Sequence, residues 1–455
     1  MMDAGRLVEA EPKATLGNKQ VMLSAVLMVA AIVLLHVVCL HFFRKEERDP
    51  WDLTDFYPLS VFKFRRPSLP QLGLAVLVEA AFVVSWRRLT AKRTSLVWLF
   101  CAGLGLAVLS NLLNGWRFGI DYPTATLGDS GIEYYNDAIV IRGPLWFLSH
   151  FNAIQFELLE HARTHPPGPV LFYYFLYHLL RDPALISIGV TAVSIALALP
   201  SLRRLLALVF GDAPPAALLL YLILPANLVY GLAVVDAPIA ALFLAALVCF
   251  IDDERRATWL ASALLLALSL CFTFGALFLL PVFFGAEWLK KRRATRSLLV
   301  VGVAAVLVFS LKPLFGYDWL ASFLRASAME NEKGFLLFAE PRRYLWYRLG
   351  AVAEILLFFS PIACWLMVRG WNGLKRGAPR AAALAWLGPL SLALMLLSGA
   401  MKIGEAARIC LFILPYLSLP VIAALRELRP ADQFRVAQAV FAWGLVMQLF
   451  GFYQW

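Results

Sequence analysis

Long apolar stretches recur along the whole chain, each set off from the next by a short polar or basic segment. They lie near 21–43, 71–86, 94–112, 184–200, 214–231, 236–251, 257–271, 272–289, 297–314, 350–369, 380–400, 406–425 and 434–453. A bilayer core about 30 Å thick takes roughly 20 helical residues to cross, and stretches of this kind are what cross it. The pattern predicts an all-α, polytopic integral membrane protein with about thirteen transmembrane helices. The range is about eleven to thirteen, because several stretches are short and neighbours such as 257–271 and 272–289 can be divided differently. Hydrophobic residues fill 61% of the 455 positions, more than a soluble core of that size can bury. The first stretch runs on past twenty residues from Val21 without a small-residue cleavage pattern, so it is expected to be retained.

Basic residues orient the spans. The net charge of +11 is spread in short clusters between apolar stretches instead of forming one basic face, which argues against a nucleic-acid partner. Lys and Arg concentrate in cytoplasmic loops. One threading puts Arg87 to Arg93, Arg203-Arg204, Arg255-Arg256, Lys290 to Arg293, Arg369 to Arg380 and Arg426 to Arg435 all inside. It leaves 113–183, 232–235, 315–349 and 401–405 outside, with the N-terminus in the cytoplasm and the C-terminus out. Residues 44–70 fit poorly, since they fall outside yet carry six basic residues partly offset by five acidic ones. The six cysteines lie in apolar stretches with no paired spacing, which argues against both a disulfide framework and a zinc site.

Polar chemistry gathers in one segment. Residues 113–183 hold four of the six histidines, His150, His161, His165 and His178, with Asp121, Asp129, Glu133, Asp137, Arg142 and Arg163. A connection this long is more than a turn. Its second half, Pro144 to Glu160 and then Val170 to Leu180, mixes aromatic, aliphatic and polar residues in the manner of helices that lie in the membrane interface.

The run Gly128-Asp129-Ser130-Gly131-Ile132-Glu133-Tyr134-Tyr135-Asn136-Asp137-Ala138, followed by His165-Pro166-Pro167-Gly168 and an aromatic-rich helix, resembles the first outer loop of GT-C glycosyltransferases. Protein O-mannosyltransferases and lipid A aminoarabinose transferases are similar in this order of residues. Asp236-Ala237-Pro238 and the run from Glu405 through Arg408 to Pro415 resemble further features of that family. The likeness spans roughly 94–425, so residues 1–93 read as an extension with two spans and 94–455 as a GT-C-like core. In that core 113–183 is the catalytic loop and 315–349 a second outer loop. The resemblance implies a membrane glycosyltransferase, a hexosyl- or pentosyltransferase of the cell (inner) membrane. It would move a sugar from a polyprenyl-phosphate donor to an extracytoplasmic acceptor in the cell envelope, with inversion.

That reaction needs a base for the acceptor hydroxyl, cations for the departing phosphate and a groove open to lipid. The base candidates are Asp129, Glu133 and Asp137; many family members carry two adjacent acidic residues, whereas Ser130 follows Asp129 here. Substrate-binding candidates are Tyr134, Tyr135, His161, Arg163, His165, Asp236, Lys402 and Arg408. Five of them have a plainer reading: Asp129 and Asp236 as helix N-caps, Asp137 as a helix-surface carboxylate, His165 as a turn residue before Pro-Pro, Arg408 as an interfacial anchor or a partner of Glu405. The mixture of cations (Lys333, Arg342, Arg343, Arg348) and aromatics in 315–349 suits an interfacial loop, and equally stacking on a sugar. No cofactor is indicated; some GT-C members use a divalent metal, but no acidic cluster stands out to hold one. No nucleotide-binding glycine loop is present, which disfavours a soluble nucleotide-sugar donor. The rival class is a transporter or flippase of lipid-linked sugars, which commonly shows intramembrane charges and inverted repeats.

Overall fold

The computed structural model describes residues 22–23, 25–31, 33–34, 62–64, 66–121, 134–252, 257–331, 334–399 and 406–453. Their regular structure is helical except for two three-residue strands, Phe62–Phe64 and Gly451–Tyr453, paired antiparallel. Asp129, Glu133, Lys402 and Glu405 lie outside the described residues.

Among the described residues, five helices are long and apolar enough to cross a bilayer: Leu69–Leu89, Leu96–Asn114, Pro183–Phe210, Thr295–Phe315 and Pro379–Leu397. Their outward faces need lipid. In Thr295–Phe315 only 17% of the most apolar window is buried, and Leu298 and Val306 stand 62% and 69% exposed. A helix apolar all round and uncovered by protein is stable only in hydrocarbon. The chain is a multi-pass membrane protein.

Proline opens many of the helices, including Pro183–Phe210, Pro361–Gly377 and Pro430–Phe450. Its missing N–H is no loss in a first turn, and it biases the residue before it away from the helical region. The same chemistry breaks two stretches that the apolar pattern reads as continuous, before Pro361 and before Pro225, and a third is interrupted without a proline at the break. The 350–369 stretch is two helices, Pro341–Phe359 and Pro361–Gly377, meeting at about 93° around Ser360, which has φ +86°. Counted as one broken span, this pair brings the total to six. The 214–231 stretch divides into Pro215–Leu222 and Pro225–Val229, with the break just before Pro225. The 406–425 stretch begins as a four-residue helix, Ala406–Ile409, followed by a 3-10 turn before Leu414–Arg426.

Packing joins the two ends of the chain. Leu69–Leu89 lies on Pro430–Phe450, with the rings of Phe82 and Phe441 4.6 Å apart. Asn111 donates to the Leu228 carbonyl at 2.7 Å and accepts from Gln448 at 2.9 Å, so one buried polar network ties three helices together. Between helices in a bilayer such polar pairs act as specific glue.

Asp236–Ile251 sets the axis of the bundle. At its far end Asp252 takes a bidentate pair from Arg204, at 2.7 and 2.8 Å. Asp236 at the other end is about 24 Å away along a helix of this length. Arg204 and Asp252 therefore lie at the end opposite Asp236.

Candidate functional site

Helix breaks and helix ends meet around one cavity of about 580 Å³. Irregular backbone inside a membrane protein is tolerated where it lines such a space. The segment between Val229 and Asp236 is an example: it is buried throughout, Ala233 has φ +68°, and its carbonyl accepts the Tyr173 hydroxyl. Val234, Val235 and Asp236 follow directly and line the cavity.

His165-Pro166-Pro167-Gly168 turns the chain between the helices Glu160–Arg163 and Gly168–Leu180 at the site. Two prolines fix the chain, and Gly168 starts the helix Gly168–Leu180. A Cβ on Gly168 would sit 2.3 Å from the carbonyl oxygen of Cys271, so only glycine lets the two backbones approach this closely. His165 Nδ1 lies 2.9 Å from the His161 carbonyl oxygen. A carbonyl only accepts, so Nδ1 carries the hydrogen and Nε2 is the nitrogen that exchanges a proton. Tyr134 packs among these rings, stacked on His161 at 5.9 Å and edge-on to His165 at 5.6 Å.

The opposite wall comes from distant sequence. Asp318 caps the helix Trp319–Glu330, and Asn152 clamps it by donating to the Asp318 carbonyl and accepting its N–H at 2.9 and 2.8 Å. Gln155 adds a bond to the Ser322 carbonyl at 3.1 Å. The two long connections are thus one structural unit, and the helix carries Phe323, Ser327 and Glu330 to the cavity. Ile239, Phe243, Leu277, Phe278 and Phe412 supply an apolar floor.

Arg408 and Asp236 form the charged centre. Arg408 Nε is 3.5 Å from Asp236 Oδ2, with side chains only 7% and 19% exposed. Burial excludes the exposed-anchor reading of Arg408. Asp236 is the first residue of its helix and Val235 the N-cap, so it does not cap; its carboxylate faces the guanidinium instead. This Nε–Oδ2 separation is longer than the roughly 2.7–2.9 Å of a tight charge-assisted bond.

Five candidates from the sequence therefore share this cavity: Tyr134, His161, His165, Asp236 and Arg408. Tyr135 instead packs edge-on to Tyr177 at 6.1 Å, and Arg163 is fixed through its carbonyl by Gln155; neither belongs to the lining. Asp137 is buried away from it, its Oδ2 accepting the Leu159 N–H at 3.1 Å, which is not a helix-surface setting. Glu160, Glu330 and Asn331 line the cavity without having been singled out by motif. Among the described residues no group of three or more His, Cys, Asp or Glu is placed to hold a metal ion.

No protein-family model matches this chain, and no curated protein matches it.

Asp137 has its own signature. Burial pushes its carboxyl up to about 6, partly offset by the Leu159 N–H. A carboxyl raised in the folded state favours folding when protonated, so that contribution is complete below the ordinary value of 3.8 and is lost as pH climbs through about 6. Asparagine keeps an oxygen for Leu159 and removes the charge. Asp137→Asn is therefore expected to raise the melting temperature at pH 7.5, leave it nearly unchanged at pH 4, and retain most activity. A loss of activity of two orders of magnitude or so would make Asp137 the base.

Proposed function

We propose that the protein is a membrane glycosyltransferase that moves a sugar from a polyprenyl-phosphate donor to an extracytoplasmic acceptor. One observation carries the reading: Tyr134, His161, His165, Asp236 and Arg408, from three separate parts of the chain, converge on a single cavity with a charged centre and an apolar floor. A lipid phosphate joined to a sugar presents an anion, a polyol and a hydrocarbon tail. Arg408 supplies a forked cation for the phosphate, and His165 through Nε2 a proton for the departing oxygen. The rings of Tyr134 and Phe323 offer faces for the sugar, and the apolar floor takes the first isoprene units. Asp129 is the proposed base, with Glu133 as its nearest alternative.

In this reading the shorter apolar helices Asp236–Ile251, Thr258–Phe272 and Leu411–Arg426 are spans as well, within a bundle of about eleven to thirteen that has the cavity on the extracytoplasmic side. Support for that side comes from the basic pair Arg203-Arg204, which meets the opposite end of Asp236–Ile251. Single cysteines at Arg88 and Thr126 in a cysteine-free background test it: an impermeant maleimide should label only the second in intact cells. Equal labelling would refute the orientation. The substrate class is tested by binding. Farnesyl phosphate should raise the melting temperature of the purified protein and farnesol should not; equal effects of the two would remove the phosphate from the account.

A further inference from the structure

Glu354 is buried to 1% exposure in the helix Pro341–Phe359, within an otherwise apolar run before the break at Ser360. A carboxylate in such a place is costly unless its oxygens are used. Its Oε1 accepts the Ala407 N–H at 3.1 Å. Ala407 belongs to the four-residue helix Ala406–Ile409, and Arg408 is the next residue. One helical turn has almost no stability of its own, because nucleation fixes several residues for very few bonds. Its first N–H groups have no partner within the turn, and one of them is met by Glu354.

The surroundings give this contact more than a local meaning. Glu354, Asp236 and Arg348 all lie near enough to Cys410 for their charges to act on its thiol, and Cys410 N–H closes the turn onto the Ala406 carbonyl at 2.9 Å. Among the described residues, two carboxylates and two guanidinium groups thus lie close to the turn. We infer that Glu354 is a positioning residue: its carboxylate anchors the 406–409 turn, so that Arg408 is presented to the substrate phosphate from a fixed backbone. The inference rests on the proposed reading of the cavity as a phosphate site.

Affinity separates positioning from mere stability, since a purely structural residue lowers the melting temperature and leaves the folded fraction binding normally. Farnesyl phosphate binding to the purified full chain is measured for the unsubstituted protein, Glu354→Ala, Glu354→Gln and Arg408→Ala. Glu354→Gln keeps an acceptor oxygen for Ala407 and should bind within about threefold of the unsubstituted protein, whereas Glu354→Ala should bind at least about tenfold more weakly. Should Glu354→Ala lack a cooperative transition, Glu354→Asp takes its place; one methylene shorter, it draws back from Ala407 and should show the same loss. Normal affinity in Glu354→Ala or Glu354→Asp, with binding lost in Arg408→Ala, overturns the inference and leaves the phosphate site standing. Glu354→Gln binding as weakly as Glu354→Ala overturns it too, because the hydrogen bond would then not be the cause. Equal binding by Arg408→Ala and the unsubstituted protein removes the phosphate site, and the inference with it.

Discussion

Arg408→Ala is expected to abolish saturable binding of a lipid-linked donor and also to destabilise the protein. Both follow from burial. The guanidinium pairs with Asp236 at the cavity, and removing it leaves a carboxylate only 19% exposed without that charge. Breaking such a pair from one side costs about 3 kcal/mol or more, most of it the penalty of the charge left behind. Asp236→Asn added to Arg408→Ala should therefore restore most of the melting temperature and none of the donor binding. Arg408→Lys should recover only part of the binding, since a point charge replaces a fork. Thermal denaturation together with donor titration checks the set. Normal donor affinity in the stable double variant would make the pair structural and move the phosphate site toward His165.

Asp129→Asn carries the other large effect. A capping carboxylate can be exchanged for an amide with little loss, because the amide oxygen accepts the same backbone bond. A general base cannot, because the amide takes no proton near neutral pH. The expected result is a folded, inserted protein with turnover lower by about two or more orders of magnitude. Glu133→Gln, Glu160→Gln and Glu330→Gln are the comparisons; the last two remove the carboxylates that line the cavity beyond Asp236. If one of these loses turnover while Asp129→Asn keeps it, the base is that residue.

Helices were legible because apolar runs and opening prolines are local signals. Their breaks were less so: the run 350–369 is apolar through Ser360, and apolarity does not register that Pro361 disfavours a helical residue before it. The cavity was half legible. His165-Pro166-Pro167-Gly168, Asp236 and Arg408 each stand out against apolar surroundings, although Arg408 reads as an anchor until its burial is known. Glu330 lies in the polar run Met329-Glu330-Asn331-Glu332-Lys333, which reads as a solvated face; only the Asn152 clamp on its helix explains its place at the cavity. Glu354 did leave a trace, as a lone carboxylate in Ala351-Val352-Ala353-Glu354-Ile355-Leu356, and an ionisable residue inside an apolar helix is a functional signal by default.

The central claim is a transfer of sugar at this cavity. The direct measurement uses purified protein in proteoliposomes with a radiolabelled polyprenyl-phosphate sugar and membrane extract as the source of acceptor. The account predicts label leaving the lipid-linked pool and free polyprenyl phosphate appearing in step with it, both lost in the stable Arg408→Ala/Asp236→Asn variant. Label that stays lipid-linked but moves from one leaflet to the other would contradict it, and would make the protein a carrier of lipid-linked sugars.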